Sequence, residues 1–157
     1  MNTFHFNTTS GLRFGSGMAE SSCEEIVAML GPRIFFVTDE GLMSLELTKP
    51  TLEELKKLAD VEIFDKVEAD PSLKTLLAVI EVGTKFKATG VIGFGGGSSM
   101  DVAKLAALIL GSNEDLDSAW GVANAKGPRL PLVLVPTTAG TGSEVTPIAI
   151  ITVEHNE

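Results

Sequence analysis

The chain has 157 residues, of which 44% are hydrophobic and 21% are charged, and its formal net charge is −9. This length and composition predict one globular domain. An acidic balance without a run of basic residues argues against nucleic acid or an anionic membrane surface as a partner. No apolar run approaches membrane-spanning length. The single cysteine, Cys23, excludes an intramolecular disulfide and fits a reducing cytoplasm.

Strands and helices alternate along the predicted chain. Short apolar runs predict four strands, at residues 34–37, 61–64, 91–94 and 130–135. Helices are predicted over 18–30 and 49–58, from Ser72 onward, and from Ser98 onward. This alternation, with short connections, indicates a Rossmann-like α/β fold, in which helices flank a mostly parallel sheet.

Three stretches fit this alternation less well. Residues 1–14 predict an extended edge segment, with Phe4, Phe6, Leu12 and Phe14 as its apolar points. Residues 111–126 are polar and irregular, with a short helix expected near 118–120. The last apolar run, 148–153, predicts a strand without a partner, so we expect the domain to be truncated after residue 157.

The most informative stretch joins the third predicted strand to its helix through three glycines, Gly95, Gly96 and Gly97. Glycines let a phosphate approach the main chain, and the helix N-terminus directs N–H groups and its positive dipole end at an anion. The hydroxyl of Ser98 can add a donor. We therefore predict that this loop holds a pyrophosphate.

A purely structural interpretation of this loop has to be weighed. Ser98 with Asp101 resembles a capping box, and glycines before a cap can form a tight turn. The loop also lacks the Walker-type Gly-Lys-Ser/Thr, and it has Ser98 where the dinucleotide fingerprint has its last glycine. Three consecutive glycines at a strand-to-helix junction nevertheless favour phosphate binding. We explain Asp101 by helix capping and do not include it in the site.

Polar residues follow the other predicted strands as well. Asp39 comes after the first strand, and Asp70 precedes Pro71 after the second. Four hydroxyl residues follow the fourth strand, between or beside glycines: Thr137, Thr138, Thr141 and Ser143. Because ligands bind beyond the carboxyl ends of parallel strands, we expect these residues to gather at one rim with the glycine loop. Each could alone be a turn or capping residue, but their joint placement favours a dinucleotide site.

Two long motifs identify a family. Gly-Gly-Gly-Ser-x-x-Asp-x-x-Lys at 95–104, together with Pro-Thr-Thr-Ala-Gly-Thr-Gly-Ser-Glu-Val-Thr at 136–146, closely resembles the iron-dependent alcohol dehydrogenases. Phe14-Gly15-x-Gly17 and Val37-Thr38-Asp39 also resemble that family. Glycerol dehydrogenases and dehydroquinate synthases lack this threonine loop, and maleylacetate reductases shorten it. The resemblance covers essentially the whole chain.

The resemblance implies that residues 1–157 form a dehydroquinate synthase-like, NAD(P)-binding N-terminal domain. By analogy, Gly96, Gly97 and Ser98 contact the pyrophosphate, with Gly95 in the same loop. Asp39 contacts the adenosine ribose, and Thr137, Thr138 and Thr141 line the adenine side. The family commonly has Asn where this chain has Asp70. Two carboxylates near the ribose would repel a 2′-phosphate, so we predict NAD over NADP.

The same resemblance places the chemistry of the family outside this chain. Its iron or zinc is held by an Asp and three His on a helical domain that would follow residue 157, and His5 and His155 do not match those positions. In the intact enzyme the metal polarises a small alcohol or aldehyde, which exchanges hydride with NAD. We therefore expect this chain to hold no metal, to carry no catalytic residue, and to be inactive alone.

Two other functions stay open at this point. The chain could be a non-catalytic nucleotide-binding module whose final strand pairs in a homodimer, through residues 1–10 or 148–153. It could also belong to a metal-free reductase of the maleylacetate reductase type. Residues beyond Glu157 would decide the second alternative.

Overall fold

The computed structural model describes residues 8–121 and 123–153 and shows an α/β fold. Its strands are β1 (Arg33–Val37), β2 (Asp60–Phe64), β3 (Gly90–Gly95) and β4 (Leu132–Pro136). Its helices are α1 (Met18–Ser21), α2 (Cys23–Leu30), α3 (Glu40–Ser44), α4 (Lys49–Leu58), α5 (Leu73–Phe86), α6 (Gly97–Ser112) and α7 (Leu116–Ala119). The four predicted strands and the parallel α/β class are confirmed.

The four strands form one parallel sheet in the order β2-β1-β3-β4. The chain thus moves outward from β1 in one direction through β2 and in the other through β3. Between β1 and β3 the order reverses, which in parallel sheets opens a crevice at the carboxyl ends of the strands. The sheet therefore places the loop after β1 beside the loop after β3.

Alternate residues of the central strands enter two separate cores, one on each face of the sheet. Ile34 and Phe36 of β1 pack on the face covered by α2 and α4, where the Phe36 ring stacks on Phe94 of β3 at 5.5 Å. Phe35 and Val37 pack on the opposite face, against α5 and α6. All four side chains are fully buried, which explains why β1 reads as a continuous apolar run.

Helix α6 lies close to the strand that precedes it because β3 contains Gly93. A Cβ atom on Gly93 would lie 2.6 Å from the Cβ atom of Ala103 and 3.2 Å from the backbone of Met100. A larger residue at position 93 would push α6 away from the sheet. The absence of a side chain at Gly93 therefore sets the distance between α6 and the sheet, and with it the position of the N-terminus of α6.

Several predicted elements differ in the structure. The helix expected over 18–30 is interrupted at Ser22, and α3 was not predicted. The short helix near 118–120 lies at 116–119. Described residues 8–14 of the predicted edge segment form no strand, and Phe14 is 99% exposed; Phe4, Phe6 and both histidines lie outside the described residues.

The final apolar run, 148–153, does not form the predicted strand, and the expectation that it lacks a partner is wrong at one residue, Thr152. The Thr152 N–H donates to the Pro71 carbonyl (2.8 Å), and the Leu73 N–H donates to the Thr152 carbonyl (3.0 Å). These bonds form one isolated bridge between Ser72 and Thr152. The start of α5 supplies the partner, a long-range pairing that periodicity does not reveal.

Among the described residues, no helix is both long and apolar enough to cross a membrane.

Candidate functional site

A cleft of about 650 Å³ lies at the carboxyl ends of the strands and receives residues from the loops after all four. Five residues proposed from the sequence line it: Asp39, Gly96, Ser98, Thr137 and Thr138. The single rim expected for a parallel sheet is thus present. Half of the ten predicted site residues thus line one cleft, although they come from distant parts of the chain.

The glycine loop reaches this cleft in a conformation that a side chain would disturb. Gly95 has φ +154°, and a Cβ atom there would lie 2.7 Å from Ser99 Oγ. Helix α6 begins at Gly97, and its N-cap is Gly96, which has no side chain to cap the first turn. The N–H groups at the start of α6 are therefore available to an anion.

The capping box suggested by Ser98 and Asp101 is wrong. Because the helix already begins at Gly97, Ser98 lies within its first turn. The Asp101 carboxylate points to a different segment, where its Oδ2 atom accepts a hydrogen bond from the Ile150 N–H (2.9 Å). Spacing alone could not distinguish these two partners.

Gly96 and Gly97 lie next to the loop that follows β4, residues 137–143, which we call the threonine loop. A Cβ atom on Gly96 would lie 3.5 Å from Thr138 Oγ1, and one on Gly97 would lie 3.4 Å from Thr141 Cγ2. These are ordinary contact distances, so the packing of the chain does not itself require glycine at either position. We call the bare main chain of Gly96 and Gly97 and the facing threonines the cradle; with no side chain on either glycine, a diphosphate in the cleft can approach the N-terminus of α6.

Asp39 lines the cleft beside the glycine loop. Its Oδ1 atom accepts a hydrogen bond from the Leu42 N–H (2.9 Å) and so caps α3. Its Oδ2 atom would lie 3.3 Å from a Cβ atom on Gly95. Capping orients the carboxylate, and the second oxygen is directed toward the glycine loop, where it can accept a hydrogen bond from a sugar hydroxyl.

Asp70 and Ser143, like Gly95, Gly97 and Thr141, are not part of the cleft lining. Asp70 is exposed at φ +50°, and its carbonyl accepts a bond from Thr152 Oγ1 (3.4 Å). Ser143 is 6% exposed, and its hydroxyl bonds to Asp101 and Lys104. Their predicted contact with the cofactor is not supported by these positions.

Acidic side chains predominate among the charged residues of the lining, which are Asp39, Glu40, Glu68 and Lys66. Burial raises the pKa of Glu68, but hydrogen bonds from Thr75 and from the backbone and hydroxyl of Ser72 outweigh it and lower that pKa from 4.5 to about 2. Glu68 is therefore ionised at neutral pH, and the cleft disfavours additional anionic groups near it.

Lys104 was missed as a functional candidate from the sequence. It is 8% exposed and lies between apolar positions of α6, next to the fully buried Ala103. A lysine inside an apolar helical run is a signal that could have indicated a buried ammonium with specific partners.

The described residues bring together no group of three or more His, Cys, Asp or Glu that could hold a metal ion. They therefore do not fit the iron of the resembled family, and no chemical step is assigned to a metal in this part of the chain.

Comparison with known proteins identifies relatives across nearly the whole chain. The family model described as iron-containing alcohol dehydrogenase matches residues 9–157. A choline dehydrogenase of Bacillus subtilis is 36% identical over 162 aligned positions, covering 100% of this chain and 40% of its own length. The chain spans 40% of the length of this relative and 38% of the length of a sulfoacetaldehyde reductase of Bilophila wadsworthia.

Solved structures agree with this match. An alcohol dehydrogenase from Oenococcus oeni superposes with a TM-score of 0.89 at 35% identity, covering 98% of this chain and 41% of that one. A sulfoacetaldehyde reductase from Bifidobacterium kashiwanohense, solved in complex with NAD+, superposes with a TM-score of 0.82 at 28% identity and the same coverage.

Proposed function

The chain belongs to the iron-containing alcohol dehydrogenase family of oxidoreductases, and we propose that it is the NAD-binding part of such an enzyme. The dinucleotide occupies the cleft at the carboxyl ends of the strands. In the whole protein, a small alcohol or aldehyde exchanges hydride with the nicotinamide. Because the chain spans only about 40% of the length of these relatives, this reaction is proposed for the longer protein.

One observation carries the proposal: Gly96 lines the cleft, and Gly96 and Gly97 leave the N-terminus of α6 uncapped and bare of side chains there. The diphosphate lies in this cradle and accepts hydrogen bonds from backbone N–H groups of the first helical turn. The hydroxyl of Ser98 adds a donor. NAD, when bound, supplies the hydride acceptor, and these residues only bind and orient it.

The walls of the cleft hold the two sides of the adenosine. Asp39 Oδ2 accepts a hydrogen bond from the adenosine ribose, and the hydroxyls of Thr137, Thr138 and Thr141 satisfy the polar edge of the adenine. The first two threonines line the cleft, and the third lies against Gly97. The known complex of a relative with NAD+ supports this choice of ligand.

We propose NAD rather than NADP as the cofactor because of the charges in the cleft. Of the two carboxylates expected from the sequence, only Asp39 lines it. Asp70 lies away from the lining, but Glu40 and Glu68 line the cleft together with Asp39. A 2′-phosphate on the ribose would add about two negative charges among three carboxylates. Lys66 is the one basic side chain among the described residues of the lining, and it leaves an acidic excess.

Titration of the purified 157-residue chain with NADH, followed by the fluorescence of the dihydronicotinamide, tests the proposal. We expect saturable binding, weakened about tenfold in Gly97→Leu because the side chain enters the cradle, and weaker binding of NADPH. Gly11→Leu is the matched control, since a Cβ at Gly11 has no neighbour within 4 Å. Absence of NADH binding by the parent chain contradicts the proposal.

The purified chain also tests two of the remaining expectations, inactivity and the homodimer. We propose that the chain alone is inactive, and metal-dependent oxidation of an alcohol by it would contradict this. A cytoplasmic location fits the single buried thiol, Cys23. The homodimer and the metal-free reductase both stay predictions; sedimentation velocity checks the first, and metal dependence of the longer protein checks the second.

A further inference from the structure

Two side chains of α6, Asp101 and Lys104, join this helix to a segment far along the chain. The Lys104 ammonium donates to Asp101 Oδ1 (3.1 Å), to Ser143 Oγ (2.8 Å) and to the Ile148 carbonyl (2.6 Å). The Ser143 hydroxyl donates to Asp101 Oδ1, and the Ile150 N–H donates to Asp101 Oδ2 (2.9 Å). One buried ion pair thus binds three residues of the segment 143–150.

All three hydrogen-bond donors of the Lys104 ammonium are used within the chain. An ammonium has three N–H donors, and each donor of Lys104 has a partner within the chain. The Lys104 and Asp101 side chains are only 8% and 13% exposed, so water competes little with these bonds. Lys104 therefore has no donor left for a phosphate, and any effect that it has on a ligand must be exerted through the segment that it holds.

That segment continues directly from the threonine loop. At its beginning the loop is tied to the sheet, where the Thr137 N–H donates to the Gly95 carbonyl (2.9 Å). At its end Ser143 is tied to α6. Residues 137–141 are exposed between these two attachments, and within them Thr138 and Thr141 face the glycine loop.

We propose that Asp101 and Lys104 are positioning residues for dinucleotide binding. They fix the far end of the threonine loop to α6, the helix whose N-terminus receives the diphosphate. The distance between the threonine loop and the glycine loop then stays constant. Preorganisation of this kind lowers the conformational cost of binding. The inference rests on the proposed NAD site, and it explains the motif spacing between Asp101 and Lys104 without a direct contact to the ligand.

A double-mutant cycle separates positioning from a general loss of stability. We expect Lys104→Met to weaken NADH binding about tenfold in the parent chain, but to have little further effect when Thr138 and Thr141 are both alanine. Lys57→Met is the control, because Lys57 is an exposed cation of α4 paired with Glu54. An equal loss in both backgrounds, or no loss in the parent, overturns the inference. Ser143→Ala provides the same comparison if Lys104→Met fails to fold.

Amide hydrogen exchange in the absence of ligand makes the test independent of NADH binding. We expect the Ile150 and Val145 amides to exchange at least about tenfold faster in Lys104→Met, while the Val91 amide of β3 keeps its rate. Unchanged exchange at Ile150 and Val145 contradicts the anchoring role. A parent chain that shows this anchoring but binds no NADH contradicts the proposed function instead.

Discussion

The Oδ2 atom of Asp39 lies 3.3 Å from the position that a Cβ atom would occupy on Gly95. These two residues are 56 positions apart in the sequence, and they meet because β1 and β3 are hydrogen-bonded neighbours. The acidic wall and the glycine loop of the cleft are therefore built on adjacent strands. Their relative position depends on the sheet itself and not on a flexible connection.

Substitution Gly95→Ala should destabilise the fold. The φ of +154° is unfavourable for alanine, and the methyl group would lie 2.7 Å from Ser99 Oγ, an atom of a 1% exposed residue. We expect the free energy of unfolding to fall by about 2 kcal/mol, measured by urea denaturation. Gly11→Ala should leave it unchanged, and a stable Gly95→Ala would show that the loop can relax.

Substitution Asp39→Asn should alter cofactor preference with little change in stability. Asparagine caps helices as well as aspartate, so the bond to the Leu42 N–H is retained. Loss of the negative charge should favour NADPH. The dissociation constant for NADPH divided by that for NADH should therefore fall about tenfold. Fluorescence titration measures the ratio, and Asp60→Asn, at the exposed end of β2, is the control. An unchanged ratio would mean that Asp39 does not approach the ribose.

The stabilising effect of Glu68 should be lost in acid. Its pKa is about 2 in the folded chain and near 4.5 when unfolded. The stability that its ionised form contributes is fully present above pH 4.5 and declines as the pH falls toward 2, because the unfolded state binds the proton first. The difference in free energy of unfolding between the parent and Glu68→Gln should shrink over that range. A difference that is constant with pH contradicts this; Glu62→Gln, on the edge strand β2, is the control.

The Cys23 thiol should react slowly in the folded chain. Burial, followed by the nearby carboxylates of Glu54 and Glu20, raises its pKa above the ordinary value of 9.0. At pH 8 we expect a disulfide reagent to modify native Cys23 at least about tenfold more slowly than the urea-unfolded chain. A cysteine placed at exposed Ser10, with Cys23→Ala, should react at similar rates in both states. Fast reaction of native Cys23 would show that this part of the core opens.

The local elements were largely predictable because their signals are local. The apolar run Ile34-Phe35-Phe36-Val37 fits a strand buried on both faces, and both faces are covered. Ser72 was expected to begin a helix, and its hydroxyl accepts a bond from the Thr75 N–H (3.3 Å). By contrast, α3 is only five residues long, so its sequence contains too few turns for a periodic pattern.

The alternation of strands and helices, the glycine loop and the polar residues at the strand ends can all be recognised in the sequence, because backbone freedom and periodicity depend on neighbouring residues. The tertiary structure sets the strand order β2-β1-β3-β4, which places Asp39 beside Gly95. It also decided that Ser143 is tied to Asp101 and Lys104 while Thr138 faces the cleft. Side-chain partners across such separations depend on packing between elements, and no local pattern specifies them.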